Sequence, residues 1–300
     1  MNLGALLDQL RLVGIVIDDD PVVLSVARDL KILQLANGST QRFLRILERG
    51  KGERDFAHLR FLETRLGDRI NAPSSVITTD DLACGESPFV AHFKVTHERL
   101  VSGNLLPEVA KSLVLMHEAG RDFCATAAPV GTSFSPESAF EKGATDDATR
   151  SWLESTLRHL TETQPAVAQH CDFTYANLGI AQQGRLIIFD WEEYGTITYP
   201  AFDFTTFLLG HYHFEGVIGR ALDSPVALID LISRDFGKAF LGNLGLTVKE
   251  YTRVFPAYLF TFLTLKQGGF GAAINKRMQS MWSQLLQSGE WASAMRAPVS

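Results

Sequence analysis

His170-Cys171-Asp172-Phe173-Thr174-Tyr175-Ala176-Asn177 is the stretch on which the reading of this chain turns, and Asp190 follows 13 residues after Asn177 at the end of an apolar run. The spacing is His-x-Asp-x4-Asn. A short hairpin signal, Gln182-Gln183-Gly184, separates it from Arg185-Leu186-Ile187-Ile188-Phe189-Asp190, which reads as a strand ending in a carboxylate. Phosphoryl transfer needs a carboxylate beside the attacking hydroxyl and oxygen ligands that hold Mg²⁺ on nucleotide phosphates. An acid and an amide on one tight loop, with a second acid delivered by a neighbouring strand, can supply both. A lone Asp in a loop is usually a turn residue or a helix cap; it is the company of His170, Asn177 and Asp190 that points to chemistry.

The chain has 300 residues, enough for one large or two modest domains, and its 46% hydrophobic and 21% charged residues are those of an ordinary globular protein with a full core. Its formal net charge of −6 and the lack of any basic run argue against nucleic-acid backbone binding. Cys84, Cys124 and Cys171 form no CxxC pair, and so sparse and odd a set fits a reduced cytoplasm. Residues 1–16 lack the basic start of a signal peptide, and Asp18, Asp19 and Asp20 follow. The most apolar window, Val254 to Leu265, is 12 residues long and reads as a buried core helix, since a membrane span needs about 20.

Along the chain, Val22 to Val26 and Leu30 to Leu35 read as short apolar segments, Asn37-Gly38 as a hairpin turn, Gln41 to Leu47 as a strand and Lys51-Gly52 as a turn. Phe56, Leu59, Leu62 and Leu66 place the apolar stripe of a helix over Glu53 to Leu66, and Ser74 to Thr78 and Phe89 to Val95 are further strand candidates. The first 95 residues thus read as β-β-α-β-β. After Gly103 the pattern turns helical. Asn104 is the expected N-cap of a helix that stops at Gly120, residues 120–147 read as a surface excursion, and Ala148 to Leu160 is a helix. Helical stretches follow at about 201–212, 225–242 and 247–288, the last broken into at least two by Gly268-Gly269 and Gly271.

The central stretch resembles the catalytic motif and metal-binding Asp of the aminoglycoside phosphotransferase/choline kinase group, small-molecule kinases with a protein-kinase-like fold. Phe189-Asp190-Trp191-Glu192-Glu193-Tyr194-Gly195 is similar to the family's D-W-E-x-x-G, and Tyr199-Pro200-Ala201-Phe202-Asp203-Phe204 to its later P-x-x-D element. The similarity is strong over residues 165–210, traceable over 40–120 and absent from the last 80. The resemblance implies a bilobal α+β fold with a small β-rich N-lobe (1–96), a hinge near Val95 to Arg99 and a mainly helical C-lobe (97–300). It implies ATP or GTP with Mg²⁺ between the lobes and transfer of the γ-phosphate to a hydroxyl of a sugar, an aminoglycoside or an amino alcohol. Asp172 would be the base, Asn177 and Asp190 the metal ligands, His170 a brace of the loop, and Asp203 the tie from its helix back to that loop. Trp191 and Tyr194 either wall the site or pack; Glu192 and Glu193 read as solvated turn acids rather than contacts to a second metal or a substrate amine.

The N-lobe departs from the family. Aligning Arg42-Phe43-Leu44-Arg45-Ile46 with the family's third strand puts Arg45 where a phosphate-gripping Lys belongs, and the helix alignment puts Asp55, with Glu53 close by, where its Glu partner belongs. Arg is a planar fork and Lys a point charge, so the exchange is not neutral. Lys31 and Arg42 are the next candidates for the grip. Two other readings stay open on these residues: a catalytically weak kinase-like nucleotide-binding module with a regulatory role, and a metal-dependent hydrolase using the same acids.

Overall fold

Alternating strands and an inserted helix build the first part of the chain, and long amphipathic helices build the rest. The computed structural model describes residues 3–12, 15, 22–26, 30–37, 40–88, 92–96, 98–99, 104–126, 146–181, 184–213, 223–266 and 272–296. Two compact units form: Met1–Phe93 with Gly179–Glu192, and Lys94–Leu178 with Glu193–Ser300.

In the first unit, helix α1 (Leu3–Leu12) precedes strands β1 (Val22–Val26), β2 (Leu30–Asn37) and β3 (Thr40–Glu48), then helix α2 (Arg49–Leu66), β4 (Ser75–Thr78) and β5 (Leu82–Pro88). The strands form one antiparallel sheet of order β1-β2-β3-β5-β4. The two-residue period of a strand sends successive side chains to opposite faces. On β3, Leu44 and Ile46 join Leu33, Leu35 and Cys84 in a core closed by Leu10 and Ile15. Arg45 and Leu47 point the other way, where α2 buries Phe56, Leu59, Leu62 and Leu66.

Two expectations need correction here. Lys51-Gly52 is not a turn but lies inside α2. Gly52 serves close packing, since a Cβ there would sit 2.6 Å from the Cβ of Ala83 on β5. The strand Leu82–Pro88 went unrecognised because its Gly, Glu, Ser and Pro break the apolar alternation; Gly85 is there to admit the Phe56 ring, 2.6 Å from where a Cβ would be. The unit therefore reads α-β-β-β-α-β-β, with β6 (His92–Lys94) to follow. Strands β6, β7 (Leu178–Ala181) and β8 (Leu186–Ile188) make a second small sheet, and β8 meets the turn after α2 through an Ile70–Ile188 bridge.

The second unit is helical: α3 (Leu106–Thr126), α4 (Asp147–Glu162), α5 (Phe202–His213), α6 (Pro225–Asp235), α7 (Val248–Leu265), α8 (Ala272–Gln287) and α9 (Gly289–Arg296). Helix α7 is its centre, as the apolar window suggested. It starts at a reciprocal cap between Thr247 and Glu250 and buries Tyr251, Phe255, Tyr258, Leu259 and Phe262. Among the described residues, no helix is long and apolar enough to cross a membrane. Asn104 lies two residues ahead of α3 with a φ of 49° instead of capping it. The helix also runs past Gly120 to Thr126, because Gly120 faces the backbone carbonyl of Ala168 and accepts the Ala168 N–H at 3.2 Å. The excursion over 127–145, the glycines at 268, 269 and 271, residues 18–20, Gln182-Gln183 and Gly38 lie outside the described residues.

Candidate active site

In the second unit, the loop from Gln169 to Asn177 is held from below. His170, Cys171 and Phe173 are fully buried. The carboxylate of Asp203, in the first turn of α5, accepts the backbone N–H groups of His170 and Cys171, both at 2.8 Å. Its own N–H donates to Gln169 Oε1 at 2.9 Å. Burial pushes the Asp203 carboxyl up to about 7 even though those two N–H donors favour its ionised form. Cys171 adopts a φ of 69°, a left-handed conformation unusual outside glycine. The bonds to Asp203 and a thiol set against the Gln169 carbonyl (3.3 Å) and the Ile197 N–H (3.4 Å) hold it there. His170 Nδ1 accepts the Asp172 N–H at 3.2 Å, so the buried ring is tied to the loop backbone.

The polar tip of this loop brings Asp172 and Asn177 together. Asn177 Nδ2 donates to both the backbone carbonyl and Oδ2 of Asp172, each at 2.9 Å. Its amide nitrogen is thereby committed to Asp172. The other carboxylate oxygen, Oδ1, lies 3.2 Å from Lys266 Nζ, which also reaches Glu193 Oε2 at 2.5 Å. Burial alone would lower the Lys266 pKa, but Asp172 and Glu193 together carry it above the ordinary lysine value.

In the first unit a cavity of about 370 Å³ opens beside β3 and α2. Arg45, Asp55, Phe56, Asp190, Trp191 and Glu192 are among its walls. Arg45 and Asp55, expected at the nucleotide, and Asp190, expected at the metal, all line this cavity. Burial holds the Arg45 guanidinium below its ordinary value, opposed first by Asp190, then Glu192, then Asp55. Asp55 is thus the weakest of three acids acting on Arg45, and its carboxylate also takes a 3.3 Å contact from Arg54. Lys51 reaches Glu192 at 3.7 Å. Asp190 itself has a φ of 63°, tolerable for Asp and costly for bulkier residues.

The family model for the phosphotransferase enzyme family matches residues 36–227, nearly two thirds of the chain. The chain belongs to this phosphotransferase family. A Ralstonia eutropha protein provisionally assigned as an aminoglycoside phosphotransferase aligns with a TM-score of 0.64 at 14% identity, covering 99% of both chains. An aminoglycoside phosphotransferase solved as a ternary complex with ADP and hygromycin B gives 0.54 at 16% identity, covering 94% of this chain and 97% of that one. The choline kinase of Streptococcus pneumoniae gives 0.56 at 13% identity, with 94% and 98% covered. At such identities the likeness is one of fold, and that fold is the bilobal protein-kinase-like one expected from the motif. No curated protein matches the chain.

Within this family member, the site residues fall into two groups. Asp172, Asn177, His170 and Asp203 are joined by hydrogen bonds in the second unit; Arg45, Asp55 and Asp190 share the cavity in the first. Trp191 lines that cavity, its Nε1 bonded to the Ile188 carbonyl at 2.9 Å, whereas Tyr194 packs edge-on against Phe123 at 5.3 Å. Glu192 and Glu193 lie in a turn, as expected, and Glu192 is exposed; each also reaches a lysine, Lys51 at 3.7 Å and Lys266 at 2.5 Å. Lys266 escaped the sequence reading because it lies 94 positions beyond Asp172. Its signal was visible: it is the charge that ends the uncharged run Val254 to Leu265, at the mouth of a buried helix.

Proposed function

We propose that the chain transfers the γ-phosphoryl group of ATP or GTP to a hydroxyl of a small molecule, a sugar, an aminoglycoside or an amino alcohol. The observation that carries this reading is the Asp172 carboxylate, fixed by Asn177 on one oxygen and by a lysine on the other, on a loop that belongs to a phosphotransferase family. Asp172 orients the acceptor hydroxyl and accepts its proton as the new P–O bond forms. Since phosphoryl transfer depends on positioning and charge neutralisation, a modest base is enough.

Arg45 grips the nucleotide phosphates from the wall of the first-unit cavity. Asp190, in the same wall, is a hard oxygen donor of the kind that Mg²⁺ takes. Asp190 would be a ligand to it in the first unit and Asn177 a candidate ligand in the second, and the metal would neutralise phosphate charge. His170 and Asp203 hold the loop in shape. That the relative solved with hygromycin B also carries ADP supports the choice of a nucleotide donor. All three cysteines are unpaired, which supports a reducing compartment, the cytoplasm.

ATP and GTP consumption across a library of sugars, aminoglycosides and amino alcohols tests the activity. Asp172→Asn should lower kcat by about 10²–10⁴ with nucleotide affinity nearly unchanged. A variant keeping more than about a third of wild-type kcat removes Asp172 from the mechanism.

A further inference from the structure

Lys266 meets the loop at the Asp172 side chain rather than at its backbone. Asp203, Gln169 and His170 already hold the backbone around Asp172. Yet the Lys266 side chain, 9% exposed, brings its ammonium to 3.2 Å from Asp172 Oδ1 and 2.5 Å from Glu193 Oε2. It comes from the C-terminal end of α7, where its backbone N–H is anchored on the Phe262 carbonyl at 3.0 Å. Two carboxylates facing one point are what would recognise the ammonium of an amine-bearing substrate. In this chain a residue of the protein stands at that point.

We propose that Lys266 is a specificity-determining residue whose ammonium fills the cation position between Asp172 and Glu193, so that the acceptor presents its hydroxyl on an uncharged skeleton, a sugar or polyol rather than an amine. This rests on the reading of Asp172 as the base that contacts the acceptor hydroxyl. A hydroxyl bonded to Asp172 places its neighbouring carbon substituent a few ångströms from Lys266 Nζ. An ammonium there meets a desolvated like charge, and the acids that would compensate it are already paired. A neutral hydroxyl in the same place meets a hydrogen-bond donor.

Initial rates at saturating nucleotide, on sugars and polyols and on the same skeletons with an amino group next to the hydroxyl, test the proposal. Wild type should favour the neutral panel in kcat/KM by at least about tenfold. Lys266→Met should cut that preference by about tenfold or invert it, mainly through a lower KM for the amines. Lys266→Arg, which keeps the charge, should retain the wild-type order; a residue that merely supported the fold would change both panels alike. A wild type that favours the amines, or a Lys266→Met preference within about twofold of wild type, overturns the assignment while leaving the kinase reading intact. Turnover of neither panel, together with an Asp172→Asn variant that consumes nucleotide as wild type does, overturns the kinase reading and this inference with it.

Discussion

Arg45 sits on β3 in the wall of the first-unit cavity, and the field around it differs from the one its sequence suggested. The pairing partner expected was Asp55, but Asp190 and Glu192 act on the guanidinium more strongly. Arg45→Ala should therefore raise the nucleotide KM and lower kcat, with about a 10- to 100-fold loss in kcat/KM from a lost charge-assisted contact. Steady-state kinetics in the nucleotide check this, and wild-type values would make Arg45 an ordinary wall residue. His117, on α3, carries a different consequence. Its ring is mostly buried, Nδ1 finds no hydrogen-bond partner among the described residues, and burial, then Arg121, pulls its pKa down to about 4. An unfolded histidine titrates near about 6.5. Between those values the unfolded chain takes up the proton and the native one does not, so stability falls as pH drops through that window. The loss from this group should be about 2 kcal/mol between pH 7 and pH 5. Urea midpoints at the two pH values measure it, and His117→Gln should remove that share of the pH dependence.

Elements were legible wherever periodicity and burial agreed. Helix α2 shows its stripe of Phe56, Leu59, Leu62 and Leu66, and β3 its alternation, so both were readable before any contact was known. Glycines misled. Gly52 and Gly120 looked like breaks because in isolation a glycine weakens a helix, yet each sits inside one where a neighbour comes close, the Ala83 Cβ at Gly52 and the Ala168 carbonyl at Gly120. That contact is invisible in local sequence. Gly120→Ala should consequently destabilise the protein by about 1–3 kcal/mol, because the new methyl group meets the Ala168 carbonyl, a backbone atom with little room to yield. Gly50→Ala, at a helical position with nothing within 4 Å, should be neutral or stabilising by up to about 1 kcal/mol. Thermal melts of the pair decide the point; equal shifts would mean that helix propensity, not packing, sets the cost at Gly120.

At the scale of the whole molecule, nucleotide binding should appear as stability. A ligand that binds only the native state at about 100 times its Kd adds about 2.7 kcal/mol. Mg²⁺ with ATP or GTP should therefore raise Tm by several degrees, and EDTA in place of Mg²⁺, or Asp190→Ala, should remove most of the rise. An identical shift with and without the metal would dismiss Asp190 as a ligand. The sequence by itself determined the family, the bilobal α+β class and the identity of Asp172, Asn177, Asp190 and Asp203 as candidates, because those residues lie within 32 positions of one another, on a loop and strand whose spacing is set by local backbone geometry. Tertiary structure alone decided that residues 179–192 belong to the first compact unit, that Arg45, Asp55 and Asp190 line one cavity, and that Lys266 meets Asp172 and Glu193. Each of those is a contact between residues far apart in the chain, made by packing of helices and sheets, and no local pattern of spacing encodes it.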